Sequence, residues 1–463
     1  MAAEPAITVP EARLEAFVDT ASFRPLRSLV GDGVVAGSGT VDAQPVFCWA
    51  QDGAHRGGSL GVAGGETIAR VLALADRAGA PVVGFPESGG ARVQEGVGAL
   101  SAYAAMFRAL ANARTAQLSV VTGACAGGAA YACALGDLTI AAGPDARLFL
   151  TGPSVVREVT REDVDAQALG GPRVQAANGV VHLQARDELE AARLARRALG
   201  YLTGRAVAPR PPVPGDPGAV LPASPREVYD VRDVAARIVD AGEQLELAPR
   251  WARNLVTALA RVEGRPVGVI ASQPRHLGGT LDVHAAQKGA WFVQLCDRLR
   301  LPLVVLVDTP GFLPGTAQER AGVIRHGAGL LRAFATASVP RVTLTLRQSY
   351  GGGHIVMNSR DLGADLTLAW SGGRMGVMGA HQAIEVVGRR ALAAGADRAE
   401  LESAYESEQL DVTVAARGGW VDEVIDPQLS RDRIAAALEA LDPGQRRVAR
   451  TPRAGDPRTR VAP

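Results

Sequence analysis

SVVTGACAGGAAYACALGDLTIAAGPDARLFLTGP, at 119–153, decides the fold because a second stretch repeats its pattern: TLTLRQSYGGGHIVMNSRDLGADLTLAWSGGRMGVMGA, at 343–380. Each runs from an apolar strand through a glycine cluster and a short helical segment to DLTIA or DLTLA. A further apolar strand then ends in TGP or MGA. Upstream, APVVGFPESGG (80–90) and LPLVVLVDTPG (301–311) both pass from an apolar strand to an acidic residue and a glycine-bearing turn. Such internal repetition predicts two homologous domains.

A proline-rich segment, TGRAVAPRPPVPGDPGAVLPASPRE at 203–227, lies between the two halves and reads as an extended linker. On either side of it, strand-like runs alternate with helical stretches rich in Ala, Arg and Leu, which is typical of α/β architecture. We therefore predict an N-terminal domain over 1–225 and a C-terminal domain over 226–442. The last stretch, 443–463, carries six arginines and few apolar residues, and is predicted to be a frayed tail.

Composition restricts the class of protein. With 463 residues, 47% hydrophobic and 21% charged, the chain is neither a single small module nor wholly disordered. Lys+Arg 49 against Asp+Glu 48 leaves a net charge of +1, which argues against nucleic acid or an anionic membrane as a partner. The four cysteines show no CxxC pair and no metal spacing, and neither a signal peptide nor a membrane span is evident. We expect a reduced, soluble, cytoplasmic protein with no metal.

The glycine pair Gly127 and Gly128 follows a strand and opens a helix of small residues. Unpaired N–H groups at such a helix start can stabilise a negative oxygen, as in an oxyanion hole. The alternative is that the pair only allows close packing of helix and strand. The cluster recurs at 351–353, and neither copy has the spacing of a dinucleotide or phosphate loop.

Two further turns are candidates for substrate contact. In ESGGAR (87–92) and GGSLG (57–61), we predict that backbone donors and one arginine bind a thioester and a phosphorylated carrier; a purely structural turn is the alternative. These candidates are Gly58, Gly89, Gly90 and Arg92. In DTPGFLPG (308–315), Phe312 offers an apolar wall or plain packing.

Conventional catalytic side chains are scarce beside these loops. No HExxH or SxxK motif and no paired carboxylates occur there, and lone histidines such as His354 and His381 are more often structural. This pattern favours chemistry in which the substrate or cofactor supplies the base and the protein stabilises an enolate.

Together, several ordered motifs resemble the β (carboxyltransferase) subunit of biotin-dependent acyl-CoA carboxylases, of the actinobacterial acetyl-/propionyl-CoA carboxylase type. The resemblance covers about residues 25 to 440, and its motifs are GGSLGVAGGE, ESGGARVQEG, GACAGGAAY, VDTPGFLPGTAQE, YGGGHIVMNSRDLGAD and AWSGGRMGVMGA. It implies tandem crotonase-like (ClpP/crotonase) ββα superhelix domains in a homohexamer. The implied partner is a biotin carboxylase or biotin carboxyl carrier (α) subunit, which delivers carboxybiotin to the bound acyl-CoA for the synthesis of malonyl-CoA or methylmalonyl-CoA.

The resemblance also implies roles for individual residues. Gly127 and Gly128 match the backbone donors for the acyl thioester oxygen, and Gly379 with Ala380 match those for the biotin ureido oxygen. Biotin contacts are expected from Gly352, Gly353 and Phe312. Acyl-CoA contacts are expected from two more residues, Lys288, the only lysine of the chain, and Gln382.

The chain departs from the family pattern in the second glycine loop, where RQSYGGGH replaces RKAFGGAY or RKAYGGAY, and in His381 and Gln382 after MGA. Two alternatives to a carboxylase therefore stay open. One is the carboxyltransferase of a biotin-dependent decarboxylase, and the other is a non-catalytic ring scaffold.

Overall fold

The computed structural model describes residues 9–224 and 227–441. Two compact units divide at Thr203 and Gly204. The first unit contains helices α1 (Val9–Phe17), α2 (Val62–Ala78), α3 (Val97–Asn112), α4 (Gly128–Leu135), α5 (Pro153–Thr160), α6 (Ala166–Gly170), α7 (Pro172–Ala177) and α8 (Glu188–Leu202). Its strands are β1 (Arg24–Leu26), β2 (Val34–Val41), β3 (Gln44–Gln51), β4 (Val82–Phe85), β5 (Gln117–Val121), β6 (Ala124–Ala126), β7 (Leu138–Ala142), β8 (Arg147–Phe149) and β9 (Leu183–Ala185).

The second unit repeats this arrangement. Its helices are α9 (Val231–Ala236), α10 (Val283–Arg298), α11 (Thr316–Arg320), α12 (Val323–Thr336), α13 (Gly351–Val356), α14 (Ala380–Val387), α15 (Arg389–Ala393), α16 (Arg398–Tyr405), α17 (Val412–Arg417) and α18 (Ser430–Ala440). Its strands are β10 (Leu245–Glu246), β11 (Leu255–Val262), β12 (Arg265–Ser272), β13 (Leu303–Thr309), β14 (Arg341–Tyr350), β15 (Leu366–Trp370), β16 (Arg374–Gly376) and β17 (Glu423–Ile425).

The two main sheets have the same topology. The strand order is β1-β2-β3-β4-β5-β7-β9 in the first and β10-β11-β12-β13-β14-β15-β17 in the second. In each sheet the first three strands are antiparallel and the others are parallel. The register is also repeated, because the pair Phe47–Val82 corresponds to Gly268–Leu303, with both partners 221 positions later (268 − 47 and 303 − 82). The predicted duplication is thus present in the fold.

Apolar strands form the core of each unit. Val82, Ile68 and Met106 are buried between the first sheet and helices α2 and α3, whereas Val304, Leu344 and other strand residues are buried in the second. Parallel strands that are buried on both faces carry continuous apolar runs, as APVVGF and LPLVVLVD do. Each run places the turn that follows it at the carboxyl edge of its sheet, where ligands bind in open α/β sheets.

The compact units divide about 20 residues before the boundary at 225/226 expected from the sequence. The proline-rich segment packs within the second unit. Val207 N donates to Gly264 O (3.0 Å), Val213 N donates to Ala236 O (3.1 Å), and Pro211 O accepts from Ala241 N (2.8 Å). These hydrogen bonds tie residues 207–213 of the segment to the second unit. The predicted tail at 443–463 lies outside the described residues.

Candidate active site

In the first unit, the turn after β4 lies beside the junction of β6 and α4. Ser88 N donates to Ala124 O at 2.7 Å, and Ala126 N donates back to Ser88 O at 2.9 Å. A Cβ built on Gly90 would lie 3.4 Å from Ala126 O. The ESGG turn and the glycine pair that precedes α4 therefore form one continuous surface.

The first glycine of the pair, Gly127, does not offer the backbone donor that the sequence predicts. Its N–H is donated to the carbonyl oxygens of Phe149 and Leu150, both at 3.1 Å. Its φ of +56° is a conformation that suits glycine and turns the chain into α4. Within the described chain, the N–H groups of Gly128 and Ala129, in the first turn of this helix, have no hydrogen-bond partner. The candidate donors are thus Gly128 and Ala129, and Gly127 has the conformational role.

Three other glycines expected to contact substrate shape the turn instead. Gly89 N donates to Gly57 O (2.9 Å), Gly90 N donates to Ser88 Oγ (3.2 Å), and Gly58 N donates to His55 O (3.0 Å). Gly58 also has a φ of +68°, and a Cβ there would collide with the backbone of Glu87.

The remaining donor of the turn is Ala91, which sequence reasoning missed. Its N–H makes no hydrogen bond to the described residues, whereas its neighbours pair with Leu60: Leu60 N donates to Gly90 O, and Arg92 N donates to Leu60 O. In the parallel bridge between Leu60 and Ala91, the hydrogen bonds are made by the residues on either side of Ala91, so the N–H of Ala91 itself is not used. The position directly after a glycine pair is the signal that could have identified it.

Arg92 was expected to bind substrate, but its side chain is buried. The guanidinium forms ion pairs with Asp32 and with Glu95 (2.8 Å), and Nη2 donates to Ser59 O (2.8 Å). The side chain is only 1% exposed. These partners occupy the guanidinium, so we assign Arg92 to holding the 59–61 loop against the turn.

In the second unit, the turn after β13 has the same construction. Leu281 N donates to Gly311 O (2.9 Å), and Leu313 N donates to Leu281 O (2.7 Å). The bridge between Leu281 and Phe312 corresponds to that between Leu60 and Ala91. Consequently the Phe312 N–H, like that of Ala91, has no partner in the described part of the chain.

The second glycine cluster lies against this turn. A Cβ on Gly352 would be 3.5 Å from the Phe312 ring, and a Cβ on Gly353 would be 2.8 Å from the Gly311 Cα. Gly351 has a φ of +56°, the same value as Gly127. The structure therefore brings together Phe312, Gly352 and Gly353, the three residues expected to contact biotin.

The MGA segment adjoins the same cluster. A Cβ on Gly351 would be 3.0 Å from Val377 O, and one on Gly379 would be 3.7 Å from the Tyr350 ring. Gly379 caps α14, which begins at Ala380, and the N–H groups of both residues are unpaired within residues 9–224 and 227–441. The Oε1 atom of exposed Gln382 would lie 3.2 Å from a Cβ on Gly379.

Lys288 is placed away from these turns, contrary to its expected role in substrate binding. Its Nζ is fully buried and donates to the carbonyl oxygens of Leu255 (2.8 Å), Ala248 (3.0 Å) and Trp251 (3.0 Å). Burial lowers the pKa of its ammonium from 10.5 to about 7. We therefore correct this prediction and assign Lys288 to holding the loop that precedes β11.

A buried acid supports the second turn. Tyr229 OH donates to Asp308 Oδ2 at 2.7 Å, and Arg347 Nε lies 3.1 Å from the same oxygen. Asp308 is the residue directly before Thr309 in this turn, and burial raises the pKa of its carboxyl. The neighbouring guanidinium opposes that shift. This cluster fixes the end of β13 and so the start of the turn.

Each unit thus presents backbone N–H groups from a turn and from a helix start. Such preorganised donors stabilise negative charge on an oxygen without side-chain titration. No group of three or more His, Cys, Asp or Glu side chains among the described residues could hold a metal ion. Likewise, none of the helices in that part of the chain is long and apolar enough to cross a membrane.

Comparison with known proteins assigns this arrangement to a class. The carboxyl transferase domain family matches residues 10–454. The chain belongs to this family and is the carboxyltransferase subunit type of biotin-dependent acyl-CoA carboxylases. Its fold is the crotonase-like fold of that family.

Individual relatives are similar over most of their length. The propionyl-CoA carboxylase β chain of Saccharopolyspora erythraea is 43% identical over 439 residues, which span 89% of this chain and 80% of the relative. The methylmalonyl-CoA decarboxylase α subunit of Veillonella parvula is 40% identical over 427 residues, spanning 90% and 83%. A crystal structure of transcarboxylase 12S, described as a hexamer with methylmalonyl-CoA and methylmalonic acid bound, has a TM-score of 0.91 at 40% identity. It covers 96% of this chain and 91% of the other.

Proposed function

We propose that this chain transfers a carboxyl group from carboxybiotin to the α carbon of a short acyl-CoA. Acetyl-CoA would yield malonyl-CoA and propionyl-CoA would yield methylmalonyl-CoA, as precursors for fatty acid or polyketide synthesis. The observation that supports this most directly is the set of unshared N–H groups at Ala91, Gly128 and Ala129. Removal of a proton from the α carbon makes the thioester oxygen an enolate oxygen, and such donors stabilise its charge. The relatives named for propionyl-CoA and methylmalonyl-CoA support the same substrate class.

Biotin on a partner subunit is the proposed cofactor, and the second unit has residues that fit it. The N–H groups of Gly379 and Ala380 have no partner among the described residues, and the Phe312 ring lies against Gly352, where a Cβ would be 3.5 Å from it. When bound, carboxybiotin supplies the carbon dioxide and the base. The residues of this chain would orient its ureido oxygen with the N–H groups of Gly379 and Ala380, and Phe312 would exclude water beside it.

We further propose that the chain works as a homohexamer with a biotin carboxylase or carrier subunit, in the cytoplasm. The relative of known structure is described as a hexamer.

The proposed function is tested by following the incorporation of ¹⁴C-bicarbonate into acetyl-CoA and propionyl-CoA with the cognate biotin-carrying subunit and ATP. We expect acid-stable label in both products. Label in neither, with a partner subunit that carboxylates its own biotin, would refute the proposal. In that case the non-catalytic scaffold suggested by the RQSYGGGH loop would be favoured.

The decarboxylase alternative has specific support in the similarity to the Veillonella parvula subunit. It predicts transfer from methylmalonyl-CoA to free biotin in the reverse direction. Because carboxyl transfer is reversible, a carboxylase subunit also catalyses this half-reaction, so the partner decides: fixation of bicarbonate with ATP by the cognate partner supports the carboxylase, and a partner without that activity supports the decarboxylase.

A further inference from the structure

The ring of Tyr103, on α3, lies directly against the start of α4. A Cβ built on Gly128 would be 2.7 Å from two atoms of that ring. Tyr103 is 4% exposed and belongs to the core of the first unit with Met106 and Leu110. Its position is therefore fixed by packing, and it sets how closely the helix start can approach α3.

The hydroxyl of the same tyrosine is connected to the turn that carries Ala91. Tyr103 Oη lies 3.4 Å from Ser88 Oγ, and Ser88 Oγ accepts a hydrogen bond from Gly90 N at 3.2 Å. Burial raises the pKa of Tyr103 to about 12, so the phenol is neutral and can donate at physiological pH. Ser88 is itself 1% exposed, so water does not compete for this contact.

One side chain thus contacts both segments that hold the unshared donors. The ring lies where a Cβ on Gly128 would be, and the hydroxyl lies 3.4 Å from Ser88 Oγ, three residues before Ala91. Backbone donors stabilise an oxyanion only when they converge on one point, and a misplacement of about 1 Å can reduce a rate by about 100-fold.

The described part of the second unit has a counterpart of Ser88 but lacks a counterpart of the Tyr103 hydroxyl. Thr309 corresponds to Ser88, and its Oγ1 accepts from Gly311 N at 3.3 Å. The ring that lies against the glycine cluster there is Phe312, which comes from the turn itself and carries no hydroxyl. Among the described residues, an aromatic hydroxyl that links turn and helix start is therefore specific to the first unit.

We propose that Tyr103 is a positioning residue that sets the spacing between the Ala91 N–H and the N–H groups of Gly128 and Ala129. This inference rests on the proposed function, because it assumes that these groups bind the acyl thioester oxygen. Tyr103 acts through Ser88 and Gly128 and does not itself touch the substrate.

The variant Tyr103→Phe tests this directly, because it keeps the ring and removes the hydroxyl. With the full assembly and its biotin-carrying partner, we expect kcat for acyl-CoA carboxylation to fall about 10- to 100-fold. The KM for acyl-CoA should stay within about twofold and Tm within about 4 °C. The matched control is Tyr201→Phe, a buried tyrosine on α8 of the same unit, which should keep the wild-type kcat.

Ser88 supplies the second arm of the test. Ser88→Ala should lower kcat by a similar factor, and Ser88→Thr should retain it because the second unit uses a threonine at the equivalent position. The double variant Tyr103→Phe/Ser88→Ala should be no slower than Ser88→Ala alone, since both changes break one connection.

The possible results separate the two proposals. A wild-type enzyme with no carboxylation refutes the proposed function and this inference with it. An active wild type with an unchanged kcat in Tyr103→Phe overturns the inference alone. A rise in KM with unchanged kcat also overturns it, because that result would indicate a binding role. Multiplicative losses in the double variant would show that the two hydroxyls act independently, which is likewise incompatible with it.

Discussion

At the scale of single residues, the two glycines Gly127 and Gly128 have different roles, one in backbone conformation and the other in hydrogen bonding. Gly127 adopts a positive φ and donates its own N–H to the strand at 149–150. The next two N–H groups, of Gly128 and Ala129, therefore face away from any backbone acceptor. The sequence showed that a glycine pair opens a helix. It could not show which N–H was already used, because that depends on the chain 22 residues later.

Gly128→Ala should reduce turnover strongly while the protein stays folded. The added Cβ would lie 2.7 Å from the Tyr103 ring, so the helix start must move and its donors lose their alignment. Loss of an oxyanion donor costs about 10²–10³ in rate, which is the expected fall in kcat. The matched control is Gly329→Ala on α12, where a Cβ meets no atom within 4 Å. Near wild-type kcat in the Gly128 variant would show that this helix start does not bind the thioester oxygen.

Two buried cations show where the sequence was misleading. Lys288 is the only lysine in the chain and Arg92 follows a glycine turn, and both features suggested ligand contact. In the structure both side chains are buried, and their N–H groups are paired with carbonyl oxygens or carboxylates. A long charged side chain can reach either a ligand or a nearby loop, and the local sequence does not distinguish the two.

Lys288→Met should destabilise the second unit without a specific effect on catalysis. The methionine would leave the carbonyl oxygens of Ala248, Trp251 and Leu255 buried without their donor, at a cost of about 3 kcal/mol or more in unfolding free energy. Thermal unfolding measures this as a lower Tm. A substrate-binding role predicts the opposite result, a raised KM with an unchanged Tm.

The same lysine should give the stability a pH dependence. Its pKa is about 7 in the folded chain and near 10.4 when unfolded. Between these values the unfolded chain holds one more proton, so this group makes unfolding less favourable as pH rises, by about 1.4 kcal/mol per unit. The difference in Tm between wild type and Lys288→Met should therefore widen from pH 7.5 to 9.0. A constant difference would mean that Lys288 stays charged in the folded protein throughout this range.

At the scale of elements, the strands and the duplication could be predicted, whereas the boundary could not. Runs such as LPLVVLVD are apolar throughout, and only a buried strand or core helix accommodates them. The proline-rich segment lacks such a period, so the sequence indicated a linker. Its backbone nevertheless pairs with Gly264 and Ala236. Hydrogen bonds from an irregular segment depend on tertiary neighbours that are distant in sequence.

Two departures from the family pattern in the second glycine loop compensate each other. Ser349 Oγ and His354 Nδ1 lie 3.0 Å apart, across the turn into α13. Burial lowers the pKa of His354, which favours its neutral ring. Gly351 between them keeps the same φ as Gly127. The altered loop therefore keeps the positive φ that its counterpart has at Gly127.

We expect the start of α14 to limit the length of the acyl chain that the enzyme accepts. Gln382 is exposed and its Oε1 would lie 3.2 Å from a Cβ on Gly379, so we expect its amide to limit the space for an acyl chain beside the MGA segment. One methylene changes kcat/KM by about 10- to 200-fold in an apolar pocket, so acetyl- and propionyl-CoA should both be accepted. Chains of eight or more carbons should be poor substrates, and Gln382→Gly should shift the preference toward them. The measurement is kcat/KM over C2, C3, C4 and C8 acyl-CoA.

The control for that series is Val386→Gly, which places a glycine at an exposed position on the same helix. It should lower the stability of the protein to a similar extent as Gln382→Gly does. The ratio of kcat/KM for C8 to that for C2 acyl-CoA should stay unchanged. If Gln382→Gly has the wild-type profile, or if the wild type already prefers C8, residue 382 does not limit the pocket.

At the scale of the whole molecule, apolar side chains are exposed beside both sets of donors. In the first unit, Val93 and Val97 follow the 88–91 turn and are 87% and 80% exposed. In the second unit, Val377 directly precedes MGA and is 75% exposed. We propose that a neighbouring copy of the chain covers these valines, since apolar surface beside a binding site is typical of an interface. The proposed hexamer would supply that cover from identical subunits.

Static light scattering after size-exclusion chromatography should therefore give a mass close to six times 48.0 kDa. Val93→Glu should lower the mass and abolish turnover together, because a carboxylate in a buried contact costs several kcal/mol of association. Leu29→Glu changes a fully exposed leucine that is remote from the turn in sequence, and should keep both mass and activity. A stable wild-type monomer with full activity would contradict the proposed hexamer. In that case the exposed residues Val93, Val97 and Val377 would have to be covered by substrate or by the biotin-carrying partner instead.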